Sequence, residues 1–336
     1  MPGGDGRSAL SPTGMRRRPH LLSPERAAAL RPLLDALDAA LDRTARIAAD
    51  PVELPRRYPD PGDAEVAALV AASLAYGRAD VFKPVVERVL SAMGPSPAAF
   101  ARDFARAPDA AFFSGATYRF NRPPDLAALA AAIGEVRARH GSLGARFAAL
   151  LREAGGGDGA LRTALARFAS ELRAAPAVAP LLAGRGARGL LHLLPDAAGP
   201  GASKRWNLYL RWMVRGPDGV DLGLWREVPP SALVVPLDTH VHRVARALGL
   251  TRRPDASWRT AEEITASLRR VDPADPVRYD FALCHLGMSG ACPARRDARR
   301  CAACALGGAC LTAARGSRAR ARSARPRSGS ARAGTS

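Results

Sequence analysis

The sequence predicts an all-α fold, and three observations carry that expectation. Apolar residues recur at helical spacing through most of the chain, as in 64–76 (AEVAALVAASLAY) and 125–139 (DLAALAAAIGEVRAR). Strand-like alternation is scarce, and Val, Ile and aromatic residues are few against an Ala and Leu background. No repeat period marks a solenoid. The 336 residues and 47% apolar content suit one large domain or two interleaved lobes around a core. No apolar run approaches the roughly 20 residues of a membrane span.

Taken in order, the first helix is expected over 24–48. Helix 64–76 follows, with an acidic residue near its start, and then 79–93. The next are 125–139, again opened by an acid, and 158–174. Residues 193–204 (LLPDAAGPGASK) form a Pro- and Gly-rich turn that runs into a helix over 203–215. Leu233-Val234-Val235-Pro236 is apolar but stops at a proline, so it reads as an extended lead-in to the helix at 239–248. Helices at 257–270 and 277–287 complete the set.

Charge narrows the partner. Fifty Lys and Arg against thirty-one Asp and Glu leave a formal net charge of +19, which suits a polyanion, either nucleic acid or an acidic membrane face. The two ends, 1–22 and 311–336, carry +3 and +7 and read as flexible basic arms. The +9 that remains lies on 23–310, so the folded body is basic in its own right. Only Lys83 and Lys204 are lysines; every other basic residue is arginine. A lysine amine can lose its proton and attack carbon, whereas a guanidinium cannot. Lys204, at the end of a glycine turn and the start of a helix, is therefore read as a nucleophile rather than one more phosphate contact. Asp238 caps the next helix or serves that amine.

The five cysteines all fall after residue 283. Cys292, Cys301, Cys304 and Cys310 occupy one short loop rich in small residues, as in a metal or cluster site of a reduced, cytosolic protein. Zinc ribbons usually carry two C-x-x-C knuckles. Only one occurs here, which favours an iron–sulfur cluster over zinc. Cys284 reads as a buried helical cysteine. His240 and His242, two apart on a helix, face different ways and do not form a metal pair.

These residues carry a resemblance. LDTHVHRVARALGL resembles the helix bearing the catalytic aspartate in helix-hairpin-helix DNA glycosylases of the endonuclease III type. Lys204, Asn207 and Leu210 are similar to the start of that family's post-hairpin helix. The cysteine loop follows YDFALCHLGMSGAC, where the family keeps its cluster. Agreement runs over roughly 185–312, and AEVAALVAASLAYG resembles the first barrel helix. SKRWNLYLRWMVR and YPDPGDAEVAALVAASLAYG are closer still to a bacterial branch of this fold.

The resemblance implies a two-lobed helix-hairpin-helix glycosylase fold with a C-terminal [4Fe–4S] loop. Residues 55–228 would form a helical barrel lobe ending in the hairpin, and 23–54 with 229–312 the cluster lobe. Basic tails at 1–22 and 313–336 would be disordered. It further implies a base-excision-repair glycosylase with β-elimination lyase activity: a cytoplasmic, nucleoid-associated monomer acting on double-stranded DNA with a damaged or abasic nucleotide. Lys204 would attack the sugar C1′, and Asp238 would activate the amine or stabilise the cationic sugar. The target base would leave the stack for a pocket between the lobes. Gly199, Gly201, Ser203 and Arg205 would meet the DNA backbone, and Tyr76 and Arg78 would stand near the flipped base. Tyr76 reads equally as a helix-end core residue, and Tyr118-Arg119-Phe120 as an aromatic–basic step toward a base. Two departures stand out: an insertion shifts the register of Gly199 and Gly201, and the first cluster spacing is x8 rather than x6. The alternatives are a monofunctional glycosylase and a non-catalytic nucleic-acid-binding protein on the same scaffold.

Overall fold

The computed structural model describes residues 20–157, 159–183 and 187–313. The described residues are helical throughout, with isolated bridges at Tyr118–Asn121 and Gly201–Ser257 in place of strands. Most of each basic tail lies outside the described residues.

The segment expected as one helix over 24–48 is two: α1 (Pro24–Ala39) and α2 (Arg43–Ala49). Asp42 makes the break, because its carboxylate accepts from the Ala45 amide and opens a new helix. α3 (Pro61–Leu74) starts earlier than its apolar pattern, since Asp60 caps it and Pro61 fits the first turn. Every residue from Asp63 to Leu74 is buried, so α3 is a central helix. α4 (Ala79–Met93) and α5 (Pro97–Phe104) pack beside it. α6 (Pro123–His140) is the second buried helix, and its alanines allow close approach: a Cβ on Gly134 would stand 1.9 Å from the Ala101 carbonyl oxygen of α5.

α7 (Leu143–Glu153) and α8 (Ala160–Arg173) pair across an aromatic core of Phe147, Phe168 and Trp225. Glu65 of α3 reaches into that core. Its carboxylate accepts from the amides of Leu143 (3.1 Å) and Gly144 (2.8 Å) and from Trp225 Nε1 (2.9 Å), and pairs with Arg137. A buried charge is tolerable there because every lone pair meets a donor. The short α9 (Val178–Leu182) and α10 (Arg188–Leu193) lead to the turn before α11 (Lys204–Val214).

As expected, 233–238 is extended and delivers the chain to α12 (Thr239–Leu248). α13 (Trp258–Arg269), α14 (Asp280–Met288) and the short α15 (Ala298–Ala302) follow. α1 lies against this C-terminal group. Tyr279 Oη donates to Asp35 (2.7 Å), Arg31 to the Val271 carbonyl (2.8 Å) and Arg26 to the Leu248 carbonyl (3.1 Å).

Candidate functional site

α10, the turn 195–203 and α11 form a helical hairpin whose turn is tied from within. Arg162 of α8 donates to the carbonyls of Ala197, Ala198 and Gly199, and Trp206 Nε1 to that of Pro195. The Gly199 amide is spent on Asp196, while Gly201 is exposed with open space about it. Ser203 then takes a left-handed conformation (φ 49°, ψ 36°), a strained choice for a residue with a Cβ. Lys204 follows as the first residue of α11.

Asp238 caps α12: its Oδ1 accepts from the amides of His240 (2.9 Å) and Val241 (2.8 Å). That leaves Oδ2 directed away from the helix, 3.7 Å from Lys204 Nζ. The lysine side chain is 38% exposed and the aspartate 15%, so the amine is reachable and its partner is sheltered. Residues 34 positions apart are thus joined by the starts of two helices. The thiol of Cys284 on α14 approaches the same Oδ2 at 3.6 Å, a neighbour that sequence reasoning placed in the core only.

Beneath this trio runs a buried charge network. Arg211, two turns along α11 from Lys204, holds Asp280 of α14 (2.6 Å) and Asp221 (3.2 Å). Arg215 holds Asp221 and Asp275. Burial works against the Arg211 charge, but Asp221 and Asp280 outweigh it and hold its pKa above the usual range. Asp280 is pushed up to about 6, chiefly by burial, against the opposing pull of Arg211. His285, almost wholly buried, places Nε2 3.7 Å from Asp50.

The other expected contacts divide. Arg205 turns inward: its guanidinium donates to the carbonyls of Ser73 and His192 and lies over the Tyr76 ring. Tyr76, just past α3, is half-buried with its hydroxyl on Asn121 Oδ1 (2.6 Å). It packs against Tyr118, Phe120 and His192. Arg78 is exposed and paired with Asp80. Arg119 and Phe120 form the exposed tip of a tight turn closed by Tyr118 and Asn121, with Arg119 at φ 53°. His192 is driven down to about 4 by burial and then by Arg205 and Arg119, so its ring stays neutral among these aromatics.

Cys292, Cys301, Cys304 and Cys310 are free and half-buried. Burial raises the Cys292 thiol, and the Arg243 charge of α12 opposes that rise. Among the described residues no group of three or more His, Cys, Asp or Glu side chains is arranged to hold a metal ion. In kind and number, four thiols in one loop fit a cluster donor set.

An open groove of about 1490 Å³ lies elsewhere, between α8 and α13. Of its lining arginines, Arg162, Arg253 and Arg269 are engaged with protein carbonyls, Asp255 or Thr260, whereas Arg252 and Arg259 are exposed. Neither Lys204 nor Asp238 lines it. The chemistry-bearing groups, rather than this groove, define the candidate site. No helix among the described residues is long and apolar enough to cross a membrane.

No curated protein and no solved structure matches the chain. A family model described as "Protein of unknown function (DUF2400)" matches residues 50–289, a span that includes Lys204, Asp238 and Cys284 and ends just before Cys292. Matched over most of its length, the chain belongs to that family.

Proposed function

We propose that the chain is a base-excision DNA glycosylase with lyase activity, built on the two-lobed helix-hairpin-helix plan. The observation that carries the reading is the approach of the accessible Lys204 amine to Asp238 Oδ2 at 3.7 Å, at the starts of two helices. A base-catalysed amine needs an adjacent proton acceptor, and Asp238 offers one oxygen for that purpose while the other is fixed by the helix.

In this reading Asp238 Oδ2 takes a proton from Lys204, and Nζ bonds to the sugar C1′. The glycosidic C–N bond breaks, its electron pair leaving with the base, which takes up the proton held by Asp238 and so returns that residue to its carboxylate. Ring opening gives a protonated imine. Loss of a C2′ proton then expels the 3′ phosphate. The Asp238 carboxylate stabilises the positive charge that develops on the sugar. The exposed Arg119–Phe120 tip beside Tyr76 offers a stacking face to a base, and the body's positive charge attracts the phosphate backbone. Cys292, Cys301, Cys304 and Cys310 would hold a [4Fe–4S] cluster, which would brace the loop beside α12. Arg243 of α12 donates to the Gly287 carbonyl of α14 (2.9 Å), just ahead of that loop.

The test is borohydride trapping on duplexes carrying an abasic site or a panel of damaged bases. A covalent adduct with the wild-type chain and none with Lys204→Ala supports the lyase. Base release without an adduct supports a monofunctional glycosylase. Tight binding with neither points to a non-catalytic binding protein.

A further inference from the structure

We infer that Cys284 is a positioning residue for the Lys204–Asp238 pair, its thiol donating to the same carboxylate oxygen that faces the amine. The consequence for catalysis rests on the function proposed above; the contact itself rests on geometry alone. Cys284 Sγ lies 3.6 Å from Asp238 Oδ2 and 3.6 Å from Met288 Sδ. A thiol has one proton to give, and a carboxylate is a far stronger acceptor than a thioether. The bond therefore goes to Asp238.

The surroundings keep Cys284 a donor. Burial raises its pKa well above the usual thiol range, and the carboxylates of Asp238, Asp280 and Asp50 add to that, with Lys204 opposing. A protonated thiol is a poor nucleophile and a poor metal ligand, but it can hydrogen-bond. The charged groups acting on it come from four elements: Asp50 from the turn after α2, Lys204 from α11, Asp238 from the cap of α12 and Asp280 from α14; Asp280 is itself paired with Arg211, and Asp50 lies beside His285.

With the two amides fixing Oδ1, the thiol shares Oδ2 with the Lys204 amine. It also draws off part of the charge on that oxygen. The lysine is then held near Asp238 without being clamped as a full ion pair. Removing the thiol leaves Lys204 as the remaining side-chain partner of Oδ2 among the described residues, and the pair tightens in favour of the ammonium.

The presence of only two lysines makes this directly measurable. Reductive methylation with ¹³C-formaldehyde labels Lys83, Lys204 and the N-terminus, and each dimethylamine titrates separately by NMR. Lys83, held by Glu53 (3.3 Å) and the Ala48 carbonyl (2.7 Å), serves as the internal reference. In Cys284→Ala the Lys204 midpoint should rise relative to wild type. In Cys284→Ser, which keeps a donor, it should rise less, and Lys83 should not move in either. An unchanged Lys204 midpoint in both variants would make Cys284 a space-filler. Equal movement of Lys83 and Lys204 would mean general loosening, and would equally overturn the inference. The titration decides this whether or not the wild-type chain forms an adduct with abasic DNA, so failure of the proposed function and failure of this contact are separable.

Discussion

Replacing Arg211 by Met probes what holds the candidate site together. Methionine keeps the stem's length and apolar packing but removes the guanidinium shared by Asp221 and Asp280. All three side chains are almost wholly buried, at 3%, 0% and 3% exposure, so water cannot replace the lost partner. Removing one member of a buried ion pair costs about 3–5 kcal/mol. At about 2 °C per kcal/mol for a chain of this size, the melting temperature should fall by roughly 6–10 °C at pH 7.5.

The loss should shrink in acid. Asp280 titrates near 6 in the folded chain against an ordinary value of 3.8, so the folded state holds a proton there that the unfolded state has released. That difference makes stability fall as pH rises from about 4 to 6. Without Arg211 the carboxyl loses the partner that lowered its pKa and keeps its proton to still higher pH. At pH 5 Asp280 is then neutral in both proteins, and the variant's deficit should be clearly smaller than at pH 7.5. Thermal unfolding followed by circular dichroism at the two pH values measures this. A drop under about 2 °C at pH 7.5, or one equal at both pH values, would refute the network's assigned role.

Other outcomes follow from the same geometry. His192 titrates near 4 rather than 6.5, so its burial contributes stability that rises from pH 4 to 6.5; His192→Phe should flatten the urea midpoint across that window relative to wild type. Glu65→Ala leaves Arg137 and three N–H donors without their acceptor, and should cost about 3–5 kcal/mol in denaturant unfolding, with Glu65→Gln milder. Anaerobically purified protein should show broad visible absorbance and about four irons per chain, both diminished in Cys304→Ser; stoichiometric zinc would replace the cluster assignment.

The all-helical class was legible because Ala and Leu at helical spacing leave little else for the chain to do. The helix break at Asp42 was not, since its periodicity runs on and only the side-chain cap ends it. α5 and α7, which the apolar pattern did not single out, begin at Ser96 and Ser142 caps and owe their stability to packing on α6 and α8. At the site, Lys204 stood out by rarity and Asp238 by motif. Arg205 looked like a surface cation, and its inward course depends on how α11 meets α3 and α10. Cys284 lies 46 positions from Asp238, and nothing local announces a contact made only when α12 and α14 pack together.

The central claim is that one amine forms the covalent bond. The most direct measurement is mass-spectrometric mapping of the borohydride-trapped adduct with an abasic duplex. The account predicts the reduced sugar on the peptide carrying Lys204 and no adduct in Lys204→Ala. An adduct on Lys83 or the N-terminal amine, one that survives Lys204→Ala, or the absence of any adduct would contradict it.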